Sequence, residues 1–502
     1  MNKTFYIDNI TWNDLSLDEI YARLNSCVSS AGDDYLYERL RNPYICDCEE
    51  LSEQKDIIKE IKDLNNKEIL LTFLNKVSKL KHYKFKDVIY EFSTLDNNSN
   101  LKHIIIDFLI IAAFILIFFF PGVAMVSFFA IIAYSVSDYF KTKDIIASKL
   151  TLFNFLIKMI KSASLLKDYN LKEDTILYKK IKTLNDINKC YKPFMFGTFL
   201  ISEGAKTNSN PFSVIFDYIR MIFHVDIIKY NSMINFIKEH SMEACEYYDI
   251  VGLIDAAICL SNINDSELNI ADLCESKLDD SYEFMMTEAY HPLIKEAVSN
   301  SISTGTNVLI TGCNASGKST FLKTVALNAL FSQCFGFCFA SEYRAPYFRI
   351  FSSMALKDDI DKGESYFMSE IKSLKRIIDA TNCKDVNVKI LCVIDEVLRG
   401  TNTVERIAAS VEILKSFNNA EVLCFVATHD IELTDLLKDG YTNYHFSEEI
   451  LNDDVIFSYK INSGKANSRN AIRLLSVLGY DEKIVNNASN RADRFVKAGV
   501  WE

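Results

Sequence analysis

The sequence predicts an α/β domain with a mainly parallel sheet at its C-terminal end, preceded by an all-α region that carries a transmembrane helical hairpin. Three observations carry this prediction. After residue 300, the short β-rich apolar runs NVLITG (307–312), VKILCVID (388–395) and EVLCFVAT (421–428) alternate with helical stretches at 318–334, 364–380 and 404–417. Continuous apolar strands separated by helices imply a parallel sheet covered on both faces. Before residue 289, apolar positions recur at helical spacing, as in LSLDEIYARL and EELSEQKDIIKEIKDL. Finally, residues 108–137, FLIIAAFILIFFFPGVAMVSFFAIIAYSVS, contain no charged side chain.

The first helical part runs over 13–95 and is broken by Pro43 in RNPYICD; LDNNSN (95–100) is a polar turn. The apolar run follows. Between Ile104 and Phe140 the only charges are Asp107 and Asp138, near its two ends. The uncharged stretch of about 30 residues far exceeds the roughly 18 that mark a candidate membrane span. As one helix it would be about 45 Å long, against a hydrocarbon core of roughly 30 Å. Pro121-Gly122 at its centre is a turn signal, and two halves of about 17 residues each reach roughly 25 Å. A hairpin, 104–120 and 123–139, is therefore expected, with Pro121-Gly122 at its far side. The alternative is a core helix buried on all sides. Lys102 precedes the run and Lys141, Lys143 and Lys149 follow it, which favours placing both flanks in the cytosol. The expected partner of 104–139 is thus the lipid bilayer, and the expected location a multi-pass protein of the cytoplasmic membrane. From 141 to 288 the pattern is helical again, interrupted by NSNP at 208–211. The expected divisions are 1–101, 102–140, 141–288 and 289–502.

The composition of the 502 residues is globular, 49% hydrophobic and 24% charged, and 15 Gly and 6 Pro favour helix over long loops. A net charge of −12 argues against a strong non-specific polyanion binder, which would carry a basic face. The 13 Cys are scattered, without a C-x-x-C pair; Cys46 and Cys48, and Cys334 and Cys338, are the closest spacings. They read as reduced thiols packed as small apolar groups rather than as a zinc framework. The N-terminal MNKTFYIDNITWNDL has no apolar h-region, so no cleavable signal peptide is expected.

GCNASGKS fits G-x-x-x-x-G-K-[ST] at Gly312, Gly317, Lys318 and Ser319, after a predicted strand and at the opening of a predicted helix. The glycines let backbone N–H groups curl around phosphate oxygens, and the helix N-terminus adds positive potential. Lys318 can reach the β- and γ-phosphates, and Ser319 can ligate Mg²⁺. About 80 residues on, ILCVIDE ends a strand with Asp395, suited to the Mg²⁺ shell, and Glu396, suited to polarising the attacking water. VATHD ends a third strand with His429, which can meet the γ-phosphate or its water; the plainer reading is a structural histidine.

Together these stretches resemble the MutS family of DNA mismatch-repair ATPases, which carry an ABC-like P-loop domain. TGCNASGKST resembles the family's TG-x-N-x-x-GKST, GESYFMSEI (363–371) its composite-site segment, and DEVLRGTNT (395–403) its DE-x-x-RGT-[ST]. ATHDIEL (427–433) resembles ATH-x-x-EL, and AYHPLI (289–294) the segment that opens the family's ATPase domain. The similarity is strongest over 289–480 and weaker over 13–65.

The resemblance implies a homodimer with ATP and Mg²⁺ at composite sites, and hydrolysis that opens and closes the dimer. Gly312 to Thr320, including Asn314, would cradle the phosphates. Asp395 would serve Mg²⁺, Glu396 the catalytic water, and His429 the γ-phosphate. Ser365 would reach the nucleotide of the opposite subunit, and Tyr459 aligns with an aromatic position that stacks on adenine; a core tyrosine is the alternative for Tyr459. NSRNAIRLLSVLGYDEKIVNNA resembles the helices that close the dimer, although NAI (470–472) stands where the family often has Tyr-Gly-Leu. The mismatch-reading domain that precedes the core in the family is not matched, and an apolar segment occupies the helical part where relatives grip DNA. The reading is therefore a membrane-anchored MutS-like ATPase, linked through the family to DNA binding and mismatch repair. The alternative is an ATP-driven, membrane-tethered conformational switch that acts on a protein or membrane partner without DNA.

Overall fold

The computed structural model describes residues 3–498 except 65, 81–83, 95–98, 168, 170, 199–217, 272, 314–315, 355–365, 383–387, 400, 420, 452–453, 466–471, 473–474 and 476–478. The chain forms two compact units, one made of residues 1–26, 37–55 and 262–502, the other of 27–36 and 56–261.

The first unit is built on a six-stranded sheet. Its strands are β1 (Asn307–Thr311), β2 (Phe348–Ser353), β3 (Lys389–Asp395), β4 (Val422–Thr428), β5 (Tyr441–Leu451) and β6 (Asp454–Ser463), in the spatial order β6-β5-β1-β4-β3-β2. Neighbours from β5 to β2 pair in parallel, and only the β5–β6 ribbon is antiparallel. Every residue of β1 and of β4 is buried, as the uninterrupted apolar runs require of a doubly covered sheet. The helix Lys318–Phe335 is buried along nearly its whole length, and the helices Tyr366–Asn382 and Thr403–Ser416 add Leu374, Ile377, Val411 and Leu414 to the core around β3 and β4.

The predicted strands and helices of this unit lie within two residues of their expected bounds. Two features differ. Residues 274–289, read as the end of a helical stretch, contain strands at Cys274–Glu275, Lys277–Leu278 and Phe284–Ala289. The last two join Asn300–Thr304 and Glu342–Ala345 in a four-stranded sheet; alternating burial along Phe284–Ala289 and Asn300–Thr304 marks one covered face. The N-terminal segment belongs to this unit as well. The helix Asn9–Asp14 lies against the edge strand β2: Asp14 Oδ2 accepts from Ser352 Oγ (2.6 Å) and Met354 N (3.0 Å), and Ser352 N donates to Thr11 Oγ1 (3.3 Å). It covers an edge that would otherwise present unpaired backbone groups.

The second unit is helical. Phe73, Phe85, Phe92, Phe153, Phe194, Tyr247 and Tyr248 are fully buried in its core, and Phe85 stacks on Tyr248 with ring centroids 4.4 Å apart. Burial raises the Tyr247 hydroxyl well above its ordinary range. Helices Leu101–Leu116 and Pro121–Ser162 form the hairpin. The turn lies at 117–120, before the expected Pro121-Gly122. Pro121 instead opens the second helix, where its missing N–H costs no hydrogen bond and its fixed φ suits the first turn. That helix does not end at 139; it runs 42 residues in all, to Ser162, and Phe153, Leu156 and Ile160 on its last part sit in the helical core. Over 104–140 the pattern is reversed: Phe108, Phe114, Phe118, Phe119, Phe129 and Phe140 are exposed. The segment Pro121–Lys143 is long and apolar enough to cross a membrane; Leu101–Leu116, at 16 residues, is short for that on its own.

Candidate nucleotide site

The strand registers assemble the site. Thr428 pairs with Thr311 and Ala427 with Asp395, so β1, β3 and β4 end at one level. The residues that follow, Gly312, Glu396 and His429, are thereby brought together at the carboxyl edge of a parallel sheet, where ligands of such folds bind. A cavity of about 520 Å³ opens there, lined among others by Gly317, Lys318, Ser319, Thr320, Asp395, Glu396, Arg399, His429 and Tyr459.

The loop Gly312–Gly317 needs its glycines. Gly312 has φ +144° and Gly317 φ +106°, a region that favours glycine. A Cβ on Gly312 would lie 2.9 Å from the Phe446 carbonyl oxygen, and one on Gly317 would lie 3.3 Å from the Tyr459 ring. Lys318 is 5% exposed, and its Nζ donates to Gly312 O (2.8 Å) and Cys313 O (2.7 Å). Burial pulls its ammonium below its ordinary value, and Asp395 and Glu396 oppose the shift. Ser316 Oγ, beside the loop, is buried and makes no hydrogen bond among the described residues. Asn314 and Ser365 lie outside the described residues, as does most of NAI.

Glu396 has φ +66° and Leu398 φ +59°. Non-glycine residues held there carry strain, which surrounding bonds must sustain. Glu396 N donates to Ala427 O (2.9 Å), while Glu370 Oε1 accepts from Leu398 N (2.5 Å) and Oε2 from Arg399 N (3.2 Å). Glu396 Oε1 lies 2.6 Å from His429 Nε2, and Oε2 lies 2.6 Å from Arg399 Nε. Burial alone would raise the Glu396 carboxyl, but the hydrogen bond and charge of His429, with Arg399 and Lys318, bring it below its ordinary value. His429 Nδ1 faces Gly312 O at 3.0 Å, which joins the ends of β4 and β1.

Tyr459 is 44% exposed and lines the cavity, so it is not a core tyrosine. It too has a left-handed backbone, φ +52°. Asn300 holds it: Nδ2 donates to Tyr459 O (3.0 Å) and Oδ1 accepts from Ile461 N (2.8 Å).

The structure thus brings Gly317, Lys318, Ser319, Thr320, Asp395, Glu396, His429 and Tyr459 to one cavity, with Gly312 bridging beneath it. Sequence reasoning did not single out Arg399, Glu370 or Asn300. Arg399 and Glu370 lie inside DEVLRGTNT and GESYFMSEI, three and 26 residues from Glu396, so the signal was present in the motifs without the roles. Asn300 lies outside them, 159 residues from Tyr459, and carried no signal.

Residues 308–496 match MutS domain V. The chain is 33% identical over 211 residues to the DNA mismatch repair protein MutS of Natronomonas pharaonis, covering 39% of this chain and 24% of that protein. It is 30% identical over 223 residues to the DNA mismatch repair protein MutS of Pseudothermotoga lettingae (42% and 27%) and 29% identical over 272 residues to MutS protein homolog 4 of Mus musculus (50% and 27%). The matches span about a quarter of the length of these relatives. By the domain V match and by the motifs gathered around its cavity, residues 308–496 are similar to domain V of the MutS family.

Proposed function

We propose that this protein is a membrane-anchored ATPase that binds and hydrolyses ATP with Mg²⁺ at composite sites of a homodimer. The observation that carries the reading is Glu396, held between His429 and Arg399 at a cavity that also presents Lys318, Ser319 and Tyr459. The residues fit a nucleoside triphosphate. Lys318 satisfies itself on two carbonyls of its own loop, contacts that a phosphate can replace, and Ser316 offers a buried hydroxyl without a hydrogen-bond partner among the described residues. Ser319 and Asp395 would hold Mg²⁺, which supplies charge neutralisation to phosphoryl transfer. Glu396 would orient the attacking water and accept its proton, His429 would hold Glu396 and meet the γ-phosphate, and Tyr459 would stack on adenine. Ser365 would complete the site of the second subunit.

The exposed apolar side chains over 104–140 support anchoring through a hairpin in the cytoplasmic membrane, with the ATPase in the cytosol. The curated relatives are named for DNA mismatch repair, and DNA binding comes to this chain as a proposal from them. The second reading is a membrane-tethered conformational switch without DNA, favoured by the same apolar hairpin and by the net charge of −12. ATPase assays on the purified full chain in detergent, with and without mismatched duplex DNA, separate them. Stimulation by DNA supports the repair-linked reading, hydrolysis indifferent to DNA supports the switch, and no Mg²⁺-dependent hydrolysis in either condition overturns both.

A further inference from the structure

Three segments of the helical unit converge at the open end of the hairpin. His103 lies in the first turn of Leu101–Leu116, Asp138 lies on Pro121–Ser162, and His224 immediately precedes Val225–Glu239. One nitrogen of each ring and one oxygen of the carboxylate all lie within 4.8 Å of one another. His103 is 7% exposed and His224 fully buried, and their rings meet edge-on with centroids 4.8 Å apart.

The hydrogen bonds around these groups leave one polar atom of each unused. His224 Nε2 lies 3.0 Å from Ser135 O, which can only accept, so Nε2 carries the proton and Nδ1 of the neutral ring keeps its lone pair. Asp138 Oδ1 accepts from Lys102 Nζ at 2.5 Å, while Oδ2 faces His103 Nδ1 at 3.9 Å, beyond hydrogen-bond reach. His103 Nδ1, His224 Nδ1 and Asp138 Oδ2 are all buried without a hydrogen-bond partner among the described residues. Three unsatisfied polar atoms, on side chains clustered this closely, are costly in a packed interior. His224 also holds a left-handed backbone, φ +46°, a strained conformation for a non-glycine residue that aims its ring at the cluster.

We propose that His103, Asp138 and His224 form a binding site for a divalent transition-metal ion of the zinc class, a site independent of the nucleotide site. Two imidazoles and one carboxylate are a donor set that zinc and its neighbours accept, and they exclude a calcium-type site, which takes oxygen ligands. A tetrahedral ion about 2.0–2.1 Å from each ligand separates them by about 3.3 Å, so side-chain rotations on binding would draw together atoms that lie within 4.8 Å of one another, His103 and Asp138 at 3.9 Å. The Ser135 carbonyl fixes the His224 tautomer, as outer partners do in metal sites. The bound ion ties both arms of the hairpin to the segment before Val225–Glu239.

The test uses the full chain in detergent, stripped with a chelator and titrated with Zn²⁺ and, separately, Co²⁺. One equivalent of zinc is expected to bind. Asp138→Asn and His224→Ala are expected to weaken it by more than the 10–100-fold that outer partners contribute. Lys102→Ala is expected to leave affinity equal or tighter, because it removes a competing cation. The cobalt form of the unmutated chain is expected to show visible d–d bands without a thiolate charge-transfer band; this decides between the cluster and the cysteines even if a variant fails to fold. A thiolate band, no bound equivalent, or unchanged zinc affinity in both ligand variants overturns the proposal.

Discussion

Glu396 Oε1 lies 2.6 Å from His429 Nε2, while the other nitrogen of that ring faces the Gly312 carbonyl at 3.0 Å. One histidine thus ties the end of β3 to the phosphate loop through the end of β4. Under the proposed function, this arrangement would make His429 a positioning residue for Glu396 as well as a contact of the γ-phosphate.

Glu396→Gln is expected to reduce kcat by about 10²–10⁴-fold while nucleotide binding persists, so that ATP is trapped on the protein. Single-turnover hydrolysis and nucleotide retention on a filter measure the two effects. Hydrolysis at the unmutated rate would falsify the catalytic assignment.

The lowered Glu396 carboxyl also fixes a pH dependence. A carboxylate depressed in the folded state contributes stability above its ordinary value of 4.5, and that contribution is lost as pH falls from 4.5 through the folded value. Denaturant unfolding below pH 4.5 should therefore be less pH-dependent in Glu396→Gln than in the unmutated chain. Equal slopes would show that His429 and Arg399 do not hold the ionised form.

Lys318→Ala is expected to weaken ATP binding by about 10–100-fold, the loss of one or two charge-assisted hydrogen bonds. Fluorescent-nucleotide titration measures it. The unfolding midpoint without nucleotide should change far less than the affinity, since the bonds lost without nucleotide are those of Lys318 to two carbonyls of its own loop.

Asn300→Ala removes both bonds that hold Tyr459 and Ile461. The expected result is a raised KM for ATP with kcat little changed, shared by Tyr459→Ala and rescued by Tyr459→Phe, which keeps the ring. A fall in kcat at constant KM would place Tyr459 outside the adenine subsite.

The hairpin is expected to hold the chain in the membrane pellet after an alkaline wash, and removal of 104–139 to release it. Release of the intact chain by alkali would exclude integral insertion.

The phosphate loop, Asp395, Glu396 and His429 were legible because each chemistry occupies a few adjacent residues at the end of a continuous apolar strand. The strands of the main sheet were legible for the same reason: burial on both faces leaves an unbroken apolar run. The small sheet of 277–304 and 342–345 was not, since strands of two to six residues with one covered face leave too short an alternation to separate from a helix. Pro121 was legible as a breaker but not in its position, because a proline serves a turn and the first residue of a helix equally well.

The sequence by itself determined where the groups suited to phosphate, metal and water stand in the chain, and that one segment is too apolar and too long for an ordinary surface helix. Only the tertiary structure decided how they are held. The registers of β1, β3 and β4 bring Gly312, Glu396 and His429 to one edge; Glu370 sustains the strained turn after Glu396, and Asn300 clamps Tyr459 across 159 residues. The convergence of His103, Asp138 and His224 belongs to the same class. Such contacts depend on where separate elements pack, and the local preferences that a sequence displays carry no record of distant partners.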